Sequence, residues 1–314
     1  MNKKVAVFGS FVVDLMSRAP HFPLAGETVK GSLFQMGPGG KGFNQCVAAH
    51  KANANVTMIG KVGNDEFANV FLKVMDDLNM NKEYVFVEHQ ASTGTALIIV
   101  NENTSQNEIV IVPGANSKIN NEDIEKAKEV IKECDYVLLQ LEVNQDANEE
   151  IARYACENNC KVILNTAPYS KISDTFLSNV YMVTPNEIEA EEYTGITINS
   201  YENACKAAEV FKAKGVEIVV ITLGQRGVFV STNEKSEIIP AYQVTAIDTT
   251  GAGDAFNGGL LASLSKGNDI FEACRYGNAV AALSVQKLGT TMSMPTYEEI
   301  EEFLKMEEQK QHGY

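Results

Sequence analysis

From residue 121 onwards, short apolar segments alternate with helical ones, and this alternation restricts the possible folds more than any other feature. Residues 121–133 have helical spacing, with Ile124, Ala127, Val130 and Ile131 on one face. Apolar strands that alternate with helices form parallel sheets covered on both faces, so we expect a three-layer α/β/α domain with a mostly parallel central sheet. The other predicted elements are strands at 136–139, 162–164, 181–183 and 218–222 and helices at 146–158, 200–214, 252–265, 269–285 and 297–308.

The N-terminal third adds a buried strand at 5–9 and three extended segments that lie outside this alternation. These segments cover 28–36, 92–101 and 108–112, and a polar turn joins the last two. We predict that they form a small β-sheet lid over the main domain. The predicted boundaries are 15–38 and 92–113 for the lid, and 1–14, 39–91 and 114–314 for the main α/β domain.

Charge and hydropathy restrict the partners of the chain. Lys plus Arg number 26 against 41 Asp plus Glu, which gives a net charge of -15. A chain this acidic repels phosphate backbones and anionic membranes, so we expect neither nucleic acid nor membrane as a partner. The sequence has neither an apolar stretch of membrane-spanning length nor a signal-peptide pattern, and we expect a cytoplasmic protein. The six scattered cysteines are predicted to be buried, reduced thiols.

The segment 37–44 (GPGGKGFN) carries four glycines in six residues before a helix predicted at 45–52. It satisfies the G-x-G-x-x-G fingerprint of dinucleotide-binding proteins, but the segment before it is polar instead of a buried strand. A phosphate-binding P-loop does not fit, because Gly42 follows Lys41 where Ser or Thr is required. We interpret the segment as a turn that brings backbone N–H groups close to a polyhydroxylated ligand, beside Lys41 and the Asn44 amide.

A second glycine-containing segment, 222–227 (TLGQRG), lies between two apolar segments, 218–222 and 228–231. Its spacing is typical of a hairpin turn. A loop at the carboxyl edge of a parallel sheet is also where nucleotides bind in α/β proteins. Both interpretations remain open from the residues alone.

The third segment, 248–258 (DTTGAGDAFNG), carries the strongest chemical signal. Small residues precede an apolar helix, and the free N–H groups of a helix N-terminus form an anion site. Asp254 lies in the first turn of that helix and Asp248 lies just before it. A single aspartate here would commonly only complement the helix dipole. Two carboxylates that bracket an anion hole favour a reactive site.

These motifs resemble the signatures of the ribokinase-like carbohydrate kinases. DTTGAGDAF resembles the second signature of that family, and GGKGFN at 39–44 resembles the first. Further similarities extend over nearly the whole chain, and the ribokinase and deoxyribokinase branches are the most similar. The resemblance implies a central sheet covered by helices, a β-sheet lid that often pairs with that of a second subunit, and the use of ATP, Mg²⁺ and usually K⁺.

Carried over position by position, the resemblance implies that Asp254 is the catalytic base. It implies an anion hole formed by Gly251, Ala252 and Gly253. The positions that match sugar contacts are Val12, Asp14, Gly39, Gly40, Lys41, Asn44, Glu142 and Asp254.

The resemblance also assigns nucleotide and metal positions. Asn186 and Glu189 match the element that organises Mg²⁺ and phosphate. The positions that match nucleotide contacts are Asn186, Thr222, Gly224, Gln225, Arg226, Gly227, Gly253 and Asn278. The monovalent-cation loop is matched by Asp248, Thr250, Ser284, Lys287, Gly289 and Ser293, several of them through backbone carbonyls.

One position departs from the usual ribokinase pattern. Ribokinases usually have a polar residue, often Asn, two positions before the aspartate matched by Asp14, and this chain has Val12. An apolar side chain cannot hydrogen-bond to a sugar hydroxyl at that place. We therefore expect phosphorylation of 2-deoxy-D-ribose, with D-ribose accepted less well, unless Val12 is only a core residue at a strand end.

Three other interpretations remain open from the sequence. A nucleoside kinase of the same fold would need a larger pocket, which the sequence does not reveal. A dinucleotide-dependent oxidoreductase would use the segment 37–42 and would leave Asp254 without a role. A non-catalytic sugar- or nucleotide-binding regulator on the kinase fold would be expected to lack Asp254.

Overall fold

A computed structural model describes residues 3–104 and 106–311 of the chain. Its main sheet has nine strands in the order β13-β12-β11-β10-β9-β8-β1-β4-β5. All neighbours from β11 to β5 run parallel, and β12 and β13 add an antiparallel edge. The strands are β1 (Lys4–Phe8), β4 (Asn55–Gly63), β5 (Val85–Glu88), β8 (Tyr136–Leu139), β9 (Lys161–Leu164), β10 (Met182–Val183), β11 (Ile218–Thr222), β12 (Val228–Ser231) and β13 (Ser236–Ile239).

Helices cover both faces of this sheet, as expected for a parallel sheet whose strands are apolar on both sides. Each face has its own apolar cluster. One face is covered by α1 (Lys41–Lys51), α2 (Ala68–Asp77), α8 (Ala252–Ser265), α9 (Ile270–Ser284) and α10 (Tyr297–Gln311). The other is covered by α3 (Asn121–Ile131), α4 (Gln145–Glu157), α5 (Asp174–Leu177), α6 (Glu187–Thr194) and α7 (Tyr201–Lys212).

A second sheet of four strands projects from the carboxyl edge of β1 and its neighbours. It contains β2 (Val12–Ala19), β3 (Leu33–Gly39), β6 (Gly94–Asn101) and β7 (Asn107–Val112). The strand order is β3-β2-β6-β7, with β2 parallel to β6 and the other two pairs antiparallel. We call these four strands the lid sheet. The predicted fold class, a mostly parallel sheet between helices with a small β-sheet lid, is confirmed.

Most apolar elements predicted after residue 121 agree with the structure to within two or three residues. No pattern in the sequence predicted β2, since its polar and charged residues do not alternate cleanly with apolar ones. The lid segment predicted from residue 28 begins as a strand only at Leu33. The helix predicted from residue 45 begins at Lys41, since glycines have low helix propensity and concealed its first turn.

The cysteine prediction is correct for four of the six thiols. Cys46, Cys134, Cys160 and Cys274 are buried, and burial raises the pKa of the Cys134 thiol to about 12. Cys205 is partly exposed and Cys156 is exposed on α4, so the prediction of burial is wrong for these two. All six cysteines are free thiols. Within 3–104 and 106–311, no helix is long and apolar enough to cross a membrane.

Candidate active site

The helix α8 starts at the centre of the site, and a glycine sets its N-terminus. Gly251 caps the helix with φ 77°, a left-handed conformation that residues with a Cβ adopt only at a cost. The Ala252 N–H donates to the Thr249 carbonyl at 3.2 Å, which closes the turn before the helix. The first-turn N–H groups of a helix have no intrahelical acceptors and carry partial positive charge. The segment 251–254 therefore has the geometry of an anion site.

Asp254 is in this first turn and its side chain is buried, with 6% of its surface exposed. Two neighbouring amides of α1 hold its carboxylate. Asn44 Nδ2 donates to Oδ2 at 2.9 Å, and Gln45 Nε2 donates to Oδ1 at 2.9 Å. These two residues are more than 200 positions away in sequence. Tertiary packing of α1 against α8 thus fixes the orientation of the carboxylate.

The start of α1 is tied to Glu142 and Ser10. Gly40 caps the helix with φ 85°, and a Cβ at this position would lie 2.7 Å from the Val12 nitrogen. The Lys41 N–H donates to Glu142 Oε2 at 2.8 Å, and Ser10 Oγ donates to the same oxygen at 2.5 Å. The Glu142 carboxylate therefore acts as an acceptor at the helix N-terminus, where negative charge is stabilised.

Three carboxylates surround the Lys41 amino group. Burial opposes its charge, but the negative charges of Asp254, Glu142 and Glu189 outweigh burial and raise the pKa of Lys41. Asp14 lies against Gly39, where a Cβ would be only 2.4 Å from Asp14 Oδ2. Burial, followed by the charges of Glu142 and Asp254, raises the pKa of Asp14 to about 6. A cation and a set of acceptors therefore converge here, as a hydroxylated ligand requires.

Asn186 and Glu189 form a reciprocal cap at the start of α6. The Glu189 N–H donates to Asn186 Oδ1 at 2.8 Å, and the Asn186 N–H donates to Glu189 Oε2 at 3.0 Å. Thr166 Oγ1 also donates to Glu189 Oε2, at 3.2 Å. Glu189 is buried, with 8% of its surface exposed. Asn186 and Glu189 thus form a capping box, and they are also the two residues predicted to organise Mg²⁺ and phosphate.

A cavity of about 200 Å³ joins most of these parts. It brings together eight of the predicted site residues: Lys41, Asn186, Glu189, Thr222, Gly251, Ala252, Gly253 and Asp254. Five lining residues were not predicted: Asn165, Ala167, Thr184, Thr249 and Asn257. Asn44 and Glu142 contact Asp254 and Lys41 from beside the cavity.

The loop 222–227 is a hairpin between the antiparallel strands β11 and β12, with a short 3₁₀ turn at Gly224–Arg226. Thr222 lines the cavity. Gln225 and Arg226 are exposed, and the Arg226 guanidinium pairs with Glu187 on α6, on the outer side of the loop. Asn278 is buried, and its Nδ2 donates to the carbonyls of Ile239 at 3.4 Å and Pro240 at 3.2 Å.

Asp248 organises the loop predicted to hold a monovalent cation. Its two carboxylate oxygens accept from the N–H groups of Thr250 at 2.9 Å and Gly289 at 3.1 Å. Burial opposes its charge, but these hydrogen bonds outweigh burial and lower the pKa of Asp248. Its own N–H donates to the carbonyl of Val285, next to Ser284 at the end of α9. The predicted cation-loop residues before α8 and after α9 are therefore neighbours.

The side chains of three other cation-loop residues are engaged elsewhere. Ser284 Oγ donates to the Ala281 carbonyl at 2.9 Å, and Ser293 Oγ donates to the Thr290 carbonyl at 2.7 Å. Lys287 Nζ pairs with Glu299 at 2.7 Å. The Lys287 ammonium cannot bind a cation, so any ligand from that residue would have to be its backbone carbonyl, whereas the two serine hydroxyl oxygens keep free lone pairs. Among the described residues, no group of three or more His, Cys, Asp or Glu side chains could hold a metal ion.

Sequence reasoning missed several buried polar residues of the site: Ser10, Gln45, Gln140, Asn165, Thr184, Asn257 and Thr291. A signal was available for two of them. Gln45 and Asn257 are amides that are directly followed by runs of apolar or small residues, and a buried amide needs a hydrogen-bond partner. The sequence did not reveal that Gln45 would bond to Asp254 and Asn257 to the carbonyl of the adjacent Gly253.

Comparison with known proteins identifies the class. The model of the pfkB family carbohydrate kinases matches residues 2–297. A ribokinase of Haemophilus influenzae is 41% identical over 97% of this chain and 99% of its own length. A deoxyribokinase of Salmonella typhi is 36% identical over the same shares of the two chains.

Solved structures give the same result. The structure of an Arabidopsis thaliana ribokinase complexed with ribose and ATP has a TM-score of 0.91 at 27% identity, with 97% of this chain and 99% of that chain covered. The chain belongs to the pfkB family of carbohydrate kinases. It is an enzyme that phosphorylates a sugar, which favours the kinase over the dinucleotide-dependent oxidoreductase considered from the sequence.

Proposed function

We propose that this enzyme transfers the γ-phosphate of ATP to the 5-hydroxyl of a free pentose, 2-deoxy-D-ribose or D-ribose. The observation that carries the proposal is the buried Asp254 carboxylate at the N-terminus of α8, on the wall of a cavity shared with Lys41. Ribokinase and deoxyribokinase relatives that match nearly the full chain support the pentose.

In the proposed reaction, the 5-hydroxyl oxygen of the sugar attacks the γ-phosphorus as the bond from that phosphorus to the bridging oxygen of ADP breaks. The hydroxyl proton passes to the Asp254 carboxylate, and ADP leaves with the bond electrons. Phosphoryl transfer requires mainly positioning and charge stabilisation from the protein. The N–H groups of Gly253 and Asp254 stabilise the negative charge on the transferred group, and one such donor is worth roughly a hundredfold in other enzymes.

The proposed sugar site lies between the lid sheet and the start of α1. Asp14, Asn44 and Glu142 provide hydroxyl acceptors, and Gly39 and Gly40 allow the backbone to approach. Val12 and Asp14 are two positions apart on β2, so their side chains lie on the same face of the lid sheet. Val12 is buried, with 4% of its surface exposed, and offers no hydrogen bond on that face. We therefore propose that 2-deoxy-D-ribose is preferred over D-ribose by at most about a hundredfold.

The proposed nucleotide site continues along the carboxyl edge of the main sheet. Thr222 lines the cavity, and the hairpin turn at Gly224–Gly227 and Asn278 lie beyond it. We assign nucleotide contact at Gln225 to this exposed turn and at Arg226 to its backbone, since the Arg226 side chain pairs with Glu187.

Magnesium would be held near Glu189. Its carboxylate oxygens already accept hydrogen bonds from Asn186 and Thr166. This donor set fits an ion that keeps most of its waters and the substrate phosphates, as Mg²⁺ does. When bound, Mg²⁺ would neutralise the charge on the phosphates. The loop 248–250 and the segment 284–293 would hold K⁺ through carbonyls, with Asp248 as the nearby carboxylate.

We also propose a homodimer formed through the lid sheet. Register places Met36, Leu15, Leu97 and Val110 opposite one another across the four strands, so they share one face. Asp14 precedes Leu15 and lies on the other face, towards the sugar. Met36, Leu97 and Val110 are each about half exposed, at 48%, 49% and 60%. A partner lid would cover this apolar outer face.

In this proposal, residues 15–38 and 92–113 form the lid, and the enzyme works in the cytoplasm, where ATP is made.

The test is an ADP-release assay with MgATP and K⁺ on 2-deoxy-D-ribose, D-ribose and adenosine, with Asp254→Asn alongside the wild type. We expect turnover of both pentoses by the wild type and a loss of kcat of at least about a hundredfold in the Asn variant, since a positioned base contributes that much. Turnover of adenosine alone would replace the proposal with a nucleoside kinase. Replacing K⁺ by Na⁺ tests the cation loop, and unchanged kcat would contradict that assignment.

A further inference from the structure

Gln45 has an amide whose orientation is completely determined by its neighbours. The residue follows Asn44 on α1, and none of its surface is exposed. Its Nε2 donates to Asp254 Oδ1 at 2.9 Å and to Asn165 Oδ1 at 3.0 Å. Its Oε1 accepts from Gln140 Nε2 at 2.7 Å. A flipped amide would set an oxygen against two other oxygens, so only this orientation is favourable.

The hydrogen bonds continue from Asn165 and return to the first turn of α8. Asn165 Nδ2 donates to the Thr184 carbonyl at 2.8 Å, and Thr184 Oγ1 donates to Asn257 Oδ1 at 2.7 Å. Asn257 Nδ2 then donates to the Gly253 carbonyl at 2.8 Å. The ring therefore begins at Asp254 and ends at the residue before it. The side chains of the ring are each at most 7% exposed, so these hydrogen bonds form largely out of contact with bulk water, where they are stronger than at the surface.

Gln45 is not among the residues that line the cavity, and it has no exposed surface with which to touch a ligand. Its direct contact with the proposed base is the hydrogen bond to the Asp254 carboxylate. Asn44 holds the other oxygen, but its side chain is also one of the proposed sugar contacts. Of the two amides that hold the Asp254 carboxylate, Gln45 is thus the one to which no substrate contact is assigned.

We propose that Gln45 is a positioning residue that fixes the Asp254 carboxylate in the orientation in which it accepts the proton of the sugar hydroxyl. This inference rests on the proposed role of Asp254 as the base. Gln140 and Asn165 select the orientation of the Gln45 amide, and that amide selects the orientation of the carboxylate. The sequence signatures assign roles to Asn44 and Asp254 but give none to Gln45, which follows Asn44 on α1.

The first test is Gln45→Met, which keeps the length of the side chain and removes both donated hydrogen bonds. We expect kcat to fall by about ten- to a hundredfold, since small misplacements of a reacting group have effects of this size. The KM values for ATP and sugar should stay within about twofold, because Gln45 touches neither ligand. A loss of folded enzyme would also lower the apparent kcat without changing KM, so kcat is calculated per folded enzyme, with the folded fraction measured by circular dichroism in the same samples.

Asn148→Ala is the matched control. Asn148 is a fully buried amide in the same region, donates to the Gln140 carbonyl at 2.7 Å and does not contact Asp254. We expect a lower Tm in this variant as in Gln45→Met, but kcat within about twofold of the wild type. If Asn148→Ala and Gln45→Met lose kcat equally, the effect is one of core stability and the proposal is overturned.

The second test is a double-mutant cycle with Asp254→Asn, with residual turnover measured from radiolabelled ATP. If Gln45 acts through the carboxylate, Gln45→Met should cost no further kcat in the Asp254→Asn background. Equal losses in both backgrounds would show that Gln45 acts elsewhere.

The cycle is run on whichever sugar of a pentose and hexose panel the wild type phosphorylates. Wild-type turnover of pentoses therefore decides the proposed function separately from the role of Gln45.

Discussion

Asp14 and Asp254 are both carboxylates of the proposed site, yet their surroundings differ. Asp254 receives two amide hydrogen bonds from α1. Asp14 is buried beside Gly39, and burial with the charges of Glu142 and Asp254 raises its pKa to about 6. The two groups thus suit different tasks: an oriented base for the proton and an acceptor whose ionisation lies near neutral pH.

The raised pKa of Asp14 predicts how protein stability and sugar binding change with pH. Its ordinary value is 3.8, so the folded protein binds this proton more tightly, and the Asp14 contribution to stability increases as the pH falls from about 6 to about 4. The affinity for the sugar should instead decrease as the pH falls, because a protonated carboxyl is a poorer acceptor of hydrogen bonds. We expect the KM for the pentose to rise as the pH falls from 7 to 5, by up to about tenfold per unit below the pKa.

Asp14→Asn is the matching variant for this measurement. It should have a higher sugar KM at pH 7 and a flatter profile than the wild type between pH 5 and 7. The KM for ATP, measured in the same series, serves as the internal control. Identical slopes of sugar KM in the two proteins would mean that another group is responsible for the pH dependence.

At the scale of elements, the site depends on how closely α1 and α8 approach. A Cβ at Gly258 would lie 2.4 Å from the Ala48 Cβ and 2.6 Å from the Gln45 carbonyl oxygen. This contact keeps Asn44 and Gln45 within hydrogen-bond distance of Asp254. Gly253, one turn earlier on α8, has no atom within 4 Å of its ideal Cβ position.

These two glycines form a matched pair for a stability measurement. Gly258→Ala should lower the free energy of unfolding by about 1–3 kcal/mol, since overpacking outweighs the better helix propensity of alanine. Gly253→Ala should leave it unchanged or slightly raised. Urea denaturation of both variants provides the comparison. Equal stability of the two variants would show that α1 and α8 can move apart without cost.

A buried ion cluster joins several other elements beneath the lid. Lys61 of β4 has a side chain that is only 3% exposed. Its Nζ pairs with Asp123 at 2.8 Å and Glu88 at 3.1 Å and donates to the Lys118 carbonyl at 2.9 Å. Burial opposes the charge, but the two carboxylates outweigh it and raise the pKa of Lys61. Its contribution to stability is therefore fully present below pH 10.5 and is lost as the pH rises through the raised pKa.

Lys61→Met should lower the free energy of unfolding by about 3–5 kcal/mol, because it leaves two partly buried carboxylates without their cation. Lys4→Met is the control. Lys4 forms a pair with Glu133 in which both side chains are 55% exposed, and surface pairs of this kind contribute little. Thermal unfolding at pH 7 measures both. A Lys61 variant as stable as the Lys4 variant would contradict the role of the cluster.

At the scale of the whole molecule, the lid sheet has an apolar outer face that the single chain leaves exposed. Its inner face carries Asp14 and contributes to the proposed sugar site. Pairing of two lids would therefore bury the outer face and fix the inner one. The proposal thus links the oligomeric state to sugar binding.

Val110→Glu tests this link. Val110 lies on β7 and is 60% exposed, and a buried unpaired charge at a dimer interface is strongly unfavourable. We expect the wild type to sediment as a dimer and the variant as a monomer with a raised sugar KM. Ile188→Glu, at an apolar residue of α6 that is 73% exposed, should remain a dimer. A monomeric wild type, or a dimeric Val110→Glu variant, would contradict the lid interface.

The sequence by itself determined the fold class and the chemical centre of this enzyme. Alternating apolar strands and helices are local patterns, and their periodicity alone predicts a parallel sheet between helices. The small residues before Asp254 are likewise contiguous in the chain, so the anion site at the start of α8 could be predicted without any long-range contact. The glycines before Lys41 could be recognised for the same reason.

Only the tertiary structure decided which side chains surround Asp254. Gln45 and Asp254 are 209 positions apart, and Gln45 and Asn165 are 120 apart. A buried amide must find a partner, but the sequence does not state which one, since that choice depends on how closely α1, α8 and β9 pack. The strand β2 was missed for a related reason. Its polar residues are stabilised by pairing with β3 and β6, a non-local hydrogen-bond pattern that leaves no periodic trace in the chain.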